Sequence, residues 1–262
     1  LRRCLELSTF LLKLISIASV ATLTLYYIIR SGDSADVHLH PLTACGDERV
    51  PSVRREWRTL NAEQKQSYIS ALLCLRAAPS EIHNRANVSR FDDFAWTHEN
   101  IGSAAHEAAS FLTWHRGFLA AFEDSLRQRC AYSGPLPYWD WTIDWEDPTN
   151  SPVFDSKLGF GGNGNPGMPS PKSDGWCLTD GPFAGAMIPF HGRAWTPHCL
   201  ARRFANGTTF DAHLLRPDYI LSVVWAHHDY FDMLMSMEKG PHNVVPHGIN
   251  GVFKSFLAPA GM

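Results

Sequence analysis

The chain has 262 residues, 45% of them apolar and 19% charged, enough to bury a sizeable core and most simply one domain. A net charge of −3 gives no case for nucleic acid as a partner. Nine Trp and fifteen Phe exclude a solvated linker and supply rigid walls for a core or a pocket.

Residues 7–29, LSTFLLKLISIASVATLTLYYII, carry one charge, Lys13, with Arg2 and Arg3 ahead of them. At about 1.5 Å per residue that length crosses a bilayer. Tyr26, Tyr27 and Arg30 close it with interfacial side chains instead of small residues, so a transmembrane signal anchor over residues 1–30 is expected in preference to a cleaved signal peptide. The basic residues hold that end in the cytosol and send the rest to the lumen or the outside, anchored to the membrane or secreted if the segment is cut. A tether over residues 31–44 and a domain over 45–262 complete the organisation. Cys45, Cys74, Cys130, Cys177 and Cys199 all lie in the exported part and count most simply as two disulfides and one odd thiol. Asn87-Val88-Ser89 and Asn206-Gly207-Thr208 are glycosylation sequons, which gain meaning behind a secretory signal.

Further along, residues 51–75 read as a helix with Trp57, Leu60, Tyr68, Leu72 and Leu75 as its apolar positions, and Asn61 with Gln64 forms a second capping signal. Residues 109–130 are the clearest helix, because Phe111, Leu112, His115, Phe118, Leu119, Phe122 and Leu126 recur at helical spacing. Residues 144–203 turn irregular around GFGGNGNPGMPSP, a long structured loop that a Cys177–Cys199 bond would hold. Residues 214–238 regain helical character, and Gly240 with Pro241 stops it.

A lone histidine on an apolar helix face is more often a packed core residue than a ligand. His98, His106 and His115 fall in one short stretch, however, and two helices with their connection could bring three ring nitrogens to one ion. An all-imidazole set suits copper or zinc and disfavours calcium or magnesium, which want oxygen. Asp92, Glu123 and Asp140 are the candidate acceptors for the outer ring N–H groups. His38, His40, His83, His191, His198 and His213 read as loop or surface residues, with His191 or His198 near a pocket mouth.

RREWRTL (54–60), YISALLCL (68–75), DDF before His98, FLTWHRGF (111–118) and PYWDW (137–141) resemble the fungal tyrosinases, and the resemblance runs from about Cys45 to the end. It implies a mainly α fold, a four-helix-bundle type 3 copper core with long irregular loops. It also implies two copper ions, each on three histidines, with His98, His106 and His115 as the ligands of the first. Ala104 stands where many members carry a cysteine, so no Cys-His thioether is expected.

The second copper departs from the family pattern, His-Asn-x-x-His and then a DPxFxxHH segment. His242 matches the first ligand, but Pro246 stands four positions on and the next histidine is His247. On a helix that extra residue turns the side chain about 100° further round, so His247 reaches the metal only if the backbone is not helical there, as a proline permits. The chain reads as stopping just short of the third ligand. WAHHDYFDM (225–233) imitates the paired histidines, but His227 and His228 lie on the wrong side of His242.

The resemblance implies oxidation of phenols or catechols to quinones with O2, impaired here by an incomplete second site. The alternative is a non-catalytic, membrane-anchored protein with a single three-histidine copper or zinc site.

Overall fold

The NAEQ signal starts helix α1, Ala62–Ala77: Asn61 Oδ1 accepts the Gln64 N–H at 2.9 Å while Gln64 Oε1 accepts the Asn61 N–H at 3.0 Å. Two donors that a helix end would leave orphaned are thereby satisfied. The expected helix over 51–75 therefore begins only at this cap. Trp57–Thr59 upstream forms a separate tight turn, held by the Glu56 carboxylate on the Arg58 N–H and guanidinium. This computed structural model describes residues 53–205 and 211–261. The expected anchor and tether, His38, His40, Cys45 and the Asn206 sequon lie outside the described residues. Among the described residues no helix is long and apolar enough to cross a membrane.

A second capping box, Ser89 with Asp92, opens α2, Arg90–Ala105, and α3 follows as Phe111–Cys130. His98 thus lies inside a helix. The helix expected over 109–130 is present, but Leu112 from its apolar stripe is 40% exposed. Ile69, Leu72 and Leu75 of α1, Phe91 of α2, and Phe122 and Leu126 of α3 form the centre of the core. Phe94 and Phe122 meet edge to face at 5.1 Å between α2 and α3, adding a directional contact to the apolar burial. A Cys74–Cys130 disulfide fastens the end of α3 to α1.

Residues 144–203 contain more than loop. A hairpin of β2, Met187–His191, and β3, Ala194–Cys199, pairs Met187 with Cys199 and His191 with Ala194. Gly192 turns it at φ +55°, a value that disfavours any side chain. A smaller pair, β1 (Trp176–Cys177) with β4 (Ala201–Arg202), lies beside it, and the Cys177–Cys199 disulfide joins β1 to β3. Periodicity missed these strands because each is too short to establish alternation. The glycine-rich stretch wraps Arg202, 1% exposed, whose guanidinium donates to the carbonyls of Phe160, Gly161 and Gly261. Burial pushes its pKa down to about 10.

The helical character expected over 214–238 is split into α4, Pro217–Ala226, and α5, Tyr230–Met237. Asp229 causes the break: its carboxylate caps the N–H groups of Phe231 and Asp232 and so begins a new helix. Gly240 leaves helical values at φ −91°, ψ −105°, within a widened turn Glu238–His242 that also holds Pro241. The expected stop is only a kink, and α6 continues over Asn243–Ile249.

Candidate metal centre

His98 projects from the middle of α2, His106 caps its C-terminus and His115 stands on the first turns of α3. One ligand atom from each lies within 4.8 Å of the other two. His98 Nδ1 is 2.6 Å from the Phe256 carbonyl, His106 Nδ1 2.8 Å from that of Gly102, and His115 Nδ1 2.7 Å from that of Phe111. A carbonyl only accepts, so each Nδ1 carries a proton and Nε2 is the ring atom left to face a metal. The outer nitrogens therefore rest on backbone oxygens and not on the expected carboxylates. Asp92 is taken by Ser89, Glu123 by Arg127, and Asp140 by Thr142.

His98 Nε2 and His115 Nε2 stand 3.3 Å apart. Two bare lone pairs at that range repel, and protonating a ring is opposed by burial, which pushes His98 down to about 4 and also lowers His115. A shared cation relieves both costs. Metal–imidazole bonds of about 2.0–2.1 Å at a tetrahedral angle set two donors about 3.3 Å apart, so the pair has the spacing of co-ligands.

His242, at the junction of the wide turn and α6, has its ring centroid 5.6 Å from that of His106 and 5.0 Å from that of Phe111. Burial pushes it down to about 4, and its Nδ1 is 3.1 Å from Asn243 Oδ1. His247 does not join this group. Residues 243–249 stay helical despite Pro246, which leaves His247 exposed, although it borders the same cavity. His227 and His228 border neither the group nor the cavity.

The cavity measures about 750 Å³ and is walled by Phe118, Trp141, Val245, Phe253 and Phe256. His191, at the hairpin tip, reaches it as expected for one of the two loop histidines, whereas His198 is 3% exposed and packed away. His83, expected at the surface, packs against Trp96 and Phe190 at centroid distances of 4.8 and 4.9 Å.

Sequence reading missed two residues that shape the site. Phe256 packs its ring 5.2 Å from that of His106, and no local pattern marks it. Glu238, 2% exposed, receives the Glu107 N–H on both carboxylate oxygens at 3.0 and 2.9 Å. Its place four residues before His242 in the sequence was the available signal.

Residues 88–258 match the family model for the common central domain of tyrosinase. The chain is 40% identical over 224 residues to tyrosinase-like protein phomQ1' of Diaporthe leptostromiformis, a match covering 80% of this chain and 58% of that protein. Tyrosinase ustQ of Aspergillus flavus is 38% identical over 211 residues, covering 79% of this chain and 58% of that one. A polyphenol oxidase structure from Thermothelomyces thermophila (mutant G292N) superposes with a TM-score of 0.57 at 29% identity, covering 80% of this chain and 66% of that one. The chain belongs to the tyrosinase family, and it spans little more than half the length of these curated relatives. The family implies copper, and three imidazoles with convergent ligand atoms fit that metal.

Proposed function

We propose that this chain is a copper-dependent oxidoreductase that converts phenols or catechols to quinones with O2. The observation that carries this reading is the three-histidine group, with His242 beside it, on one aromatic-walled cavity. His98, His106 and His115 would hold one copper. His242 belongs to the second, and His247 would join it only by turning its exposed ring inward. Copper supplies the electron exchange with O2 that the side chains lack. The protein's own part is to aim the imidazoles through the carbonyls of Phe256, Gly102 and Phe111, to oppose charging of His98 and His115 by burial, and to exclude water where a phenolic ring stacks. In this reading α2, α3 and the α5–α6 segment are arms of the four-helix copper core.

The two disulfides fit an oxidising compartment. Residues 7–29 are read as the signal anchor that delivers the chain there, and the sequons at Asn87 and Asn206 as glycosylation sites.

One observation favours a second reading. The described residues contain a single group with metal-ligand spacing, as a non-catalytic protein with one copper or zinc ion would have. Loading the lumenal part with copper and measuring metal per chain alongside catechol oxidation separates the two. Two coppers with turnover support the oxidase, and one ion without turnover overturns it.

A further inference from the structure

We propose that Asn87 carries an N-linked glycan whose first N-acetylglucosamine lies in the groove between the start of α2 and the β2–β3 hairpin. This rests on the reading that the chain enters the secretory pathway.

Asn87 is exposed in a turn just ahead of α2 and borders a groove of about 610 Å³, within the size range of ligand clefts. Opposite it the hairpin presents Met187, 53% exposed, and Trp195, 38% exposed, together with Pro189 and Pro197. Aromatic and aliphatic surface of this kind covers the apolar face of a sugar ring. Asp92 lies at the base of the same groove. Asp92 is 4% exposed, its Oδ2 accepts the Ser89 N–H and hydroxyl, and its Oδ1 is buried with no partner. Arg76 lines the same groove with its guanidinium held on the Met187 carbonyl at 2.9 Å.

Attachment takes a membrane oligosaccharyltransferase and a lipid-diphosphate-linked oligosaccharide. The Asn87 amide nitrogen bonds to the anomeric carbon, the bond from that carbon to the diphosphate oxygen breaks, the lipid diphosphate leaves with the electron pair, and the amide loses one proton. Ser89, needed in the acceptor sequon, is buried as the cap of α2 in the folded protein. The transfer therefore precedes folding, and the sugar is present when the groove closes around it.

The test is synthesis of the full chain with eukaryotic microsomes, then purification from a secreting eukaryotic host. The expected result is a protease-protected chain that loses one glycan in Asn87→Gln. In the purified protein, trimming to a single N-acetylglucosamine leaves Tm unchanged, and complete removal lowers it by about 2–4 °C, a shift typical of a modest loss in a domain of this size. Trp195→Ala keeps the glycan but abolishes that difference. A protected chain unmodified at Asn87, or a modified chain whose Tm ignores complete removal, overturns the proposal. A chain that stays protease-sensitive and unmodified at Asn206 as well overturns the secretory reading, and this proposal with it.

Discussion

His98 Nε2 and His115 Nε2 face each other at 3.3 Å, each imidazole fixed from behind by a backbone carbonyl, that of Phe256 for the first and Phe111 for the second. The crossing of α2 and α3 is therefore the set half of the cavity. The segment carrying His242 joins it through the Glu238 carboxylate on the Glu107 N–H.

Copper binding should stabilise the protein through this pair. At a free copper concentration near a hundred times the dissociation constant the gain is about 2.7 kcal/mol, or roughly 5–10 °C in Tm. His98→Ala and His115→Ala are expected to abolish the copper-induced shift and lower the copper content. A shift retained in both would contradict the ligand assignment.

The metal-free protein should lose stability in acid. His98 and His242 titrate near 4 when folded, against an ordinary 6.5, because burial opposes their charge. Between those values the unfolded chain binds more protons than the folded one, so stability is full above pH 6.5 and declines as pH falls towards 4. Chemical denaturation of metal-free protein at pH 7.0 and 4.5 measures it, and the decline should shrink in the His98→Gln variant.

Gly102 makes room for Phe256. A Cβ there would sit 2.6 Å from the Phe256 ring, so Gly102→Ala must push the phenyl from His106 and disturb the carbonyl that holds His98. A cost of about 1–3 kcal/mol is expected, as for other overpacked sites. Denaturant midpoints and the copper release rate provide the check, with faster release as the outcome.

Glu238→Ala removes the carboxylate that accepts the N–H of Glu107, which is next to His106 in the chain and at φ +51°. The expected effect is about 10–100-fold weaker copper binding, the usual penalty for losing a group that steadies a ligand. Competition with a chelator would reveal it, and Glu238→Gln should recover part of the loss because its amide oxygen still accepts.

Much of the helical framework was legible because its signals are local. Asn61 with Gln64 marks a helix start by side chains three residues apart, and the spacing of Phe111, His115, Phe122 and Leu126 marks α3 without reference to any partner. The hairpin carrying His191 was not legible, since strands of five and six residues show pairing only once the chain has folded. Asp92, Glu123 and Asp140 were reasonable acceptors by type, yet nearer hydrogen-bond partners occupy all three.

By itself the sequence determined which residue types could hold a metal, and that His98, His106 and His115 were close enough in the chain to converge. Tertiary structure alone decided how. Phe256 lies far along the chain from His98, and only packing of the 251–261 segment on α2 delivers its carbonyl to that ring. His247 shows the same division, because a proline permits a break in the helix and yet Asn243–Ile249 stays helical. The physical reason is that caps and periodicity act within a few residues, whereas ring orientation depends on partners distant in sequence.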